Sequence, residues 1–215
     1  REVLSAAAAR LALDVSPRQI DALLHYLDLL QRWNSVYNLT SVRDPAQMLT
    51  LHLVDCLALV APLRRHLLSA VGANQNSRLL DVGSGAGLPG VVIATLNPAI
   101  AVTCVEAVGK KAAFVRQVAG ELGLPNLGSE HARVEHLKAA PFDLITSRAF
   151  ASLAEFVKLT RPSLKLDGVW LAMKGKRSDA ELAQLGADVD VFHVEQLSVP
   201  GLDAERCLVW MRART

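Results

Sequence analysis

The chain has 215 residues, 51% of them hydrophobic and 20% charged, with a net charge of +2. That is enough for one substantial core, and the composition excludes a disordered or low-complexity chain. The near-balanced charge announces no polyanion partner by itself, and no apolar run approaches the ~20 residues that span a membrane.

Ser5 to Ala9 is alanine-rich, but Arg10 follows at once and the layout is not that of a signal peptide. The chain opens on Arg1 instead of Met, so a few residues are expected to precede it. Cys56, Cys104 and Cys207 stand far apart in apolar runs and form no C-x-x-C pair, as buried hydrophobes do in a reducing compartment. The chain therefore reads as cytoplasmic.

Residues 1–77 read as a helical extension. Ser16-Pro17-Arg18-Gln19 is a helix start, with Ser as cap, Pro at the first position and Gln three residues on. Ile20, Leu23, Leu24, Leu27, Leu30 and Trp33 then recur at helical spacing. Residues 34–44 are polar and irregular. Asp44-Pro45 opens a second helix carrying Met48, Leu49, His52, Leu53 and Cys56, and residues 72–77 (GANQNS) form the clearest linker.

From Arg78 to the end, strands and helices alternate in a second unit, residues 78–215. Strands are expected at 78–82, 101–106, 126–131, 142–147 and 168–174, and helices at 91–96, 109–122, 153–164 and 178–186. Two further strands, 189–196 and 206–212, are joined by a turn around Pro200-Gly201. Alternation of this kind implies an α/β doubly wound parallel sheet, here with a last antiparallel edge.

Four glycines, Gly83, Gly85, Gly87 and Gly90, follow the first strand directly. Without a Cβ, such a loop lets a ligand lie against its N–H groups, joined by the free donors at the start of the next helix. Glu106, at the end of the second strand, is where an acid accepts the two hydroxyls of a ribose. Dinucleotides and S-adenosylmethionine both satisfy this layout. Gly85-x-Gly87-x-x-Gly90 matches the dinucleotide string G-x-G-x-x-G. Because the strand ends by Val82, the register from Asp81 is D-x-G-x-G-x-G, which resembles the first motif of Rossmann-like methyltransferases.

Several segments outside the loop resemble one family. They are Asp81 to Gly90, Gly109-Lys110-Lys111, Phe142-Asp143, the run Ser147-Arg148-Ala149-Phe150-Ala151-Ser152-Leu153, and Met173-Lys174-Gly175-Lys176. Trp33-Asn34 and Tyr37-Asn38-Leu39-Thr40 join them. The family is the glucose-inhibited division protein B family, the bacterial small-subunit ribosomal RNA guanine-N7 methyltransferases, and the likeness covers nearly the whole chain. It implies a Rossmann-like class I methyltransferase fold, with a seven-stranded, mostly parallel sheet and an antiparallel terminal strand behind the helical extension. It further implies S-adenosyl-L-methionine as cofactor, held at Asp81, Gly83, Ser84, Gly85, Gly87 and Leu88. Glu106 would lie at the ribose, Val134 and Glu135 at the adenine, and Arg148 against cofactor or substrate. The substrate would be a guanosine of the decoding-region loop in 16S ribosomal RNA, free or in the 30S subunit; oligomeric state stays open, with a monomer the default.

The residues suit that chemistry. Guanine N7 carries a lone pair and no hydrogen, so methylation needs in-line placement and no general base. No Cys–His or Ser–His–Asp arrangement is evident, and no single residue is assigned as a catalytic base. Arg148 and Lys174 are the positioning candidates. Residues 147–177 hold seven basic side chains against two acids, and Arg148, Lys174, Lys176, Arg177 and Asn38 are the candidates for RNA contact. Asn34, Tyr37 and Asn38 fit a helix cap and the wall of a substrate groove equally, whereas Trp33 fits the core. The six histidines lack metal-ligand spacing, and no metal is expected. Two other readings compete: a nicotinamide-dependent oxidoreductase, and a ribosomal-RNA-binding module without methyl transfer.

Overall fold

A computed structural model of the chain describes residues 1–70, 77–148, 150 and 152–214. The expected linker therefore lies, apart from Ser77, outside the described residues. After α1 (Glu2–Arg10), α2 (Pro17–Tyr37) begins where its sequence predicts. The Ser16 hydroxyl accepts the Gln19 N–H at 3.3 Å, and the Gln19 side chain accepts the Ser16 N–H at 2.9 Å. The helix runs past the expected break at residue 34. Asn34 is buried because the following loop completes its hydrogen bonds, with Thr40 N–H donating to its Oδ1 at 2.9 Å. Asn38 then ends α2 in the left-handed region, at φ 50°.

Asp44 caps α3 (Pro45–Met48) by accepting the Gln47 N–H at 2.8 Å. A widened π turn (Leu49–Val54) and α4 (Asp55–Leu57) lead into α5 (Val60–Ala70). The stretch Pro45–Ser69, with mean hydropathy 1.6, is long and apolar enough to cross a membrane, which corrects the expectation that no segment approaches that length. It is built as a core helix, with 67% of that apolar window buried inside the protein.

The sheet comprises β1 (Arg78–Val82), β2 (Ala101–Glu106), β3 (Leu127–His131), β4 (Phe142–Ser147), β5 (Leu164–Lys174), β6 (Val189–Gln196) and β7 (Cys207–Ala213), in the order β3-β2-β1-β4-β5-β7-β6. β1 to β5 pair in parallel, and β7 pairs antiparallel with both β5 and β6. The antiparallel strand thus stands one place inside the edge, not at it. Burial explains the exchange: five of the seven residues of β7 are buried, whereas β6 is largely half-exposed, so the more apolar strand takes the interior. β5 also starts four residues early. Its register slips opposite Phe142 and Leu144, and at Gly168 a Cβ would stand 2.8 Å from the Leu164 side chain and 3.1 Å from the Asp143 carbonyl. Only glycine fits inside that bulge.

The connecting helices are α6 (Gly90–Leu96), α7 (Gly109–Glu121), α8 (Leu153–Thr160) and α9 (Asp179–Leu182), with 3₁₀ turns at Val134–His136 and Arg161–Ser163. α9 is shorter than the nine residues expected. One face of the sheet shares a single core with α1, α2, the α3–α5 run, α6 and α7, and the other face packs on α8 and the Val134 turn. α2 climbs along the first face. Gln19 Nε2 donates to Thr95 O at 3.0 Å near the foot of α6, and Tyr26 Oη donates to Ala86 O at 2.9 Å in the glycine loop. The C-terminal turn of α2 therefore stands beyond the carboxyl ends of the parallel strands.

Candidate functional site

The glycine loop joins β1 to α6, and Gly83, Gly85 and Gly87 adopt φ of 62°, 58° and 87°. An L side chain is strained in that region, so the spacing of glycines reports three left-handed turns. At Gly87 a Cβ would also stand 2.7 Å from Val91 Cγ2.

The loop's N–H groups are largely answered from within. Gly83 N–H donates to Val105 O at 3.0 Å, Gly85 N–H to Glu106 Oε2 at 2.9 Å, and Leu88 N–H to Ser84 O at 2.9 Å. Gly90 N–H, the expected free donor at the helix start, donates to Asp81 Oδ2 at 2.8 Å. This corrects the picture of donors aimed outward at a ligand. The side chains of Glu106 and Asp81 thus take two donors that a dinucleotide's pyrophosphate would need.

Asp81 is fully buried, which pushes its carboxyl up to about 7, although the Gly90 N–H and Arg148 pull the other way. Its Oδ1 has no hydrogen-bond partner, nor do the buried hydroxyls of Ser84 and Ser147. Asp81 pairs with Thr146 in the register between β1 and β4, so these three orphan groups gather at two adjacent strand ends. Buried polar atoms require partners. An amino-acid moiety, with an ammonium for the carboxyl and a carboxylate for the hydroxyls, would match their chemistry.

A cavity of about 300 Å³ opens beside them, lined by Gly83, Glu106, Val134, Glu135, Phe150 and Glu155 among others. Glu106 Oε1 also accepts the Val108 N–H at 2.8 Å. Both its oxygens are therefore fixed, and each keeps a lone pair for a ribose hydroxyl. The apolar wall of Val134 and Phe150 suits a purine face. S-adenosyl-L-methionine thus fits the residues present: Glu106, Val134 and Phe150 would hold its nucleoside, and the acids around the loop would suit its sulfonium charge.

Arg148 stands elsewhere. It lines a second cavity of about 360 Å³ with Leu51, His52, Asp55, Met173, Lys174, Gly175 and Arg206. Its Nη1 donates to Leu51 O at 2.8 Å and lies 3.5 Å from Asp55 Oδ2, while Arg206 Nε donates to Asp55 Oδ1 at 2.8 Å. Asp55 is buried, so one carboxylate of the helical extension holds two arginines from the far side of the sheet. His52 is buried too. Desolvation and then Arg148 lower its imidazole to about 4, so it is neutral at pH 7, with Nε2 3.0 Å from the Thr40 hydroxyl.

The expected cluster of seven cations is mostly paired. Lys174 holds Glu181 at 2.8 Å, Arg177 holds Asp179 at 2.8 Å, Lys165 holds Asp143 at 2.7 Å and Arg161 holds Asp188 at 3.0 Å. Only Lys158 and Lys176 lack a carboxylate partner among the described residues. Asn38 is exposed at the end of α2, where its Oδ1 accepts from Arg43 at 3.0 Å. Ala149 and Ala151 lie outside the described residues. Asp55, His52, Arg206, Glu181 and Tyr26 were missed by sequence reasoning. An aspartate inside the apolar run Leu53-Val54-Asp55-Cys56-Leu57 was the available signal for one of them. Among the described residues no group of His, Cys, Asp and Glu is placed to hold a metal.

Comparison with known proteins follows this geometry. Among solved structures, a ribosomal protein L11 methylase from Lactobacillus delbrueckii subsp. bulgaricus superposes with a TM-score of 0.57 at 13% identity, over 74% of this chain and 78% of that one. A MtNAS mutant in complex with S-adenosylmethionine gives 0.59 at 13%, over 89% and 76%. These likenesses establish the fold, a Rossmann-like α/β sheet. The "Ribosomal RNA small subunit methyltransferase G" of Leptothrix cholodnii is 60% identical over all 215 residues, which span 96% of that relative. The family described as rRNA small subunit methyltransferase G matches residues 19–209, and the chain belongs to it.

Proposed function

We propose that this chain transfers a methyl group from S-adenosyl-L-methionine to N7 of a guanosine in the decoding-region loop of 16S ribosomal RNA. The observation that carries the cofactor is the ring of carboxylates. Asp81 and Glu106 turn the glycine loop's own N–H groups inward, which disfavours a pyrophosphate and favours a cationic ligand bearing an amino acid. When bound, the cofactor supplies an electrophilic methyl on a sulfonium. The protein's part is to hold that cation beside fixed carboxylates and to admit a purine edge in line with it.

No group need remove a proton, because N7 carries none. The neutral His52 and the paired Arg148 accordingly serve the second cavity as position and charge. That cavity faces the same strand ends, and its three cations, Arg148, Lys174 and Arg206, suit an incoming nucleotide with its phosphate. Residues 1–77 act as an extension that walls this site and 78–215 as the cofactor-binding unit. Tyr26, His52 and Asp55 support that division, because all three reach the site from the extension. The 30S subunit is the proposed substrate, and the cytoplasm the proposed compartment, in keeping with three buried free cysteines. A monomer accords with exposed large apolar side chains that are scattered along the chain.

The test uses small subunits from a strain lacking this gene. Purified enzyme and S-adenosylmethionine should restore one N7-methylguanosine, scored by nuclease digestion and mass spectrometry. Tight binding of NADH and none of S-adenosylmethionine in titration calorimetry would favour the oxidoreductase instead. Cofactor and RNA binding without methyl transfer would leave a binding module.

A further inference from the structure

The chain's two tyrosines lie in one aromatic line with Phe114 and Trp33. Tyr26, hydrogen-bonded to the glycine loop, packs on Phe114 with ring centroids 6.0 Å apart. Phe114 packs on Trp33 at 5.5 Å, and Trp33 on Tyr37 at 5.1 Å. Burial falls along the line: Tyr26 and Phe114 are fully buried, Trp33 is half-buried and Tyr37 is 43% exposed. Tyr37 follows Tyr26 by eleven helical steps, so the last ring stands roughly 16 Å beyond the loop contact. It does so on the side of the sheet where the strands end. The left-handed Asn38 turns the chain directly after it, and Tyr37 stays partly exposed at the helix end.

Three cations stand on the segments that adjoin the line, with Asp44 next to one of them. Arg43 is hydrogen-bonded to Asn38, and Lys110 and Lys111 lie one turn before Phe114 in α7. None of the three has a carboxylate partner among the described residues. A partly exposed ring backed by a second aromatic, with unpaired cations on adjoining segments, is the arrangement that binds single-stranded nucleic acid, with the ring taking a base and the cations its phosphates. A helix-end apolar contact alone would require neither the exposed ring nor the unpaired charge. We propose that Tyr37 is a stacking platform for an unpaired RNA base flanking the methylated guanosine. This rests on the ribosomal-RNA methyltransferase reading and adds to it a residue on the helical extension that binds substrate.

The experiment compares wild type, Tyr37→Phe, Tyr37→Leu and Tyr37→Ala on small subunits lacking the methyl group, with calorimetric S-adenosylmethionine affinity measured alongside. Tyr37→Phe keeps the ring and should stay within about twofold of wild type. Tyr37→Leu keeps an apolar cover on Trp33 without a ring to stack. Both it and Tyr37→Ala should raise KM for the subunit roughly tenfold or more, with cofactor affinity unchanged. If the leucine variant matches the phenylalanine one, the contact is merely apolar, as a ribosomal protein would make, and the proposal is overturned. It is equally overturned if all four proteins share one KM. If wild type itself leaves the subunits unmethylated, the methyltransferase reading fails and takes the proposal with it.

Discussion

The two cavities at the strand ends share β4 as a neighbour and are built with opposite charge. The one over β1 and β2 is lined by Glu106, Glu135 and Glu155 against one cation, Arg133, with Asp81 buried beneath the loop. The one over β4, β5 and β7 is lined by Arg148, Lys174 and Arg206 against one acid, Asp55, which holds both arginines while Glu181 holds Lys174. A sulfonium cofactor and a polyanionic substrate demand this separation. An excess of cations in the first cavity would repel the sulfonium, and an excess of acids in the second would repel RNA phosphates. The difference also shows how a chain of +2 net charge can handle RNA: the sign of the local field matters, not the sum.

The sharpest way to break that comparison is Arg148→Ala. It removes one of two partners from the buried Asp55 and one of three cations from the second cavity, while leaving the first intact. Methyl transfer should fall roughly 100-fold or more, and thermal stability should drop by about 2–3 kcal/mol, because a buried carboxylate loses part of its pairing. Calorimetric affinity for S-adenosylmethionine should change less than threefold. A matching loss of cofactor affinity would mean that the two cavities are one site.

Glu106→Gln probes the other side. Both oxygens of Glu106 accept backbone N–H groups, from Gly85 and Val108, and an amide has one acceptor only. One N–H then faces an NH₂ group, at a cost of about 1–3 kcal/mol. Cofactor affinity should weaken roughly 10- to 100-fold. Binding of small-subunit RNA in filter assays should stay as in wild type.

How much of this contrast was legible beforehand differs between the cavities. Gly83, Gly85 and Gly87 announce themselves because the left-handed backbone all but requires glycine, and Asp81 and Glu106 because strand ends are readable from short apolar runs. The inward direction of the loop's N–H groups was not legible, since a motif does not say which acceptors reach back. The second cavity was nearly invisible. Asp55 and Arg206 are 151 residues apart, and only the packing of the extension across the sheet brings them to 2.8 Å. Arg148 was flagged through family resemblance, and its partner could not be. The bulge at Gly168 and the insertion of β7 likewise depend on long-range pairing, which local patterns do not carry.

A smaller effect lies in the titration of the two neutralised groups. Burial raises Asp81 to about 7, so the folded state holds a proton that the unfolded chain releases above about 4. Its contribution to stability is present at acid pH and is lost as pH rises toward 7. His52, lowered to about 4, has the opposite sign: its contribution is lost as pH falls from about 6.5 to 4. Asp81→Asn should therefore gain stability relative to wild type as pH rises from 4 to 7, and His52→Gln should gain it as pH falls over the same span. Denaturant melts at several pH values would show the two difference curves crossing. Parallel curves would mean that the cavities do not neutralise their buried groups by the same physical cause, desolvation. Cofactor affinity of wild type should rise from about pH 6 to 7 as Asp81 ionises, and that rise should vanish in Asp81→Asn.

The mildest test separates free cations from paired ones. Lys176 is exposed beyond the end of β5, beside the second cavity, and has no carboxylate partner among the described residues. Arg177, next to it, is engaged by Asp179 at 2.8 Å. A lysine that neutralises a phosphate releases a counterion, so Lys176→Ala should weaken RNA binding only severalfold at moderate salt but reduce the slope of log affinity against log salt by about 1. Arg177→Ala should reduce it less, because that charge already has a partner and its removal leaves Asp179 repelling the same RNA. Lys158, on α8 away from the strand ends, serves as the control and should leave the slope unchanged. Equal slopes for all three variants would place the RNA path off the second cavity, and the division of charge between the cavities would then serve the cofactor alone.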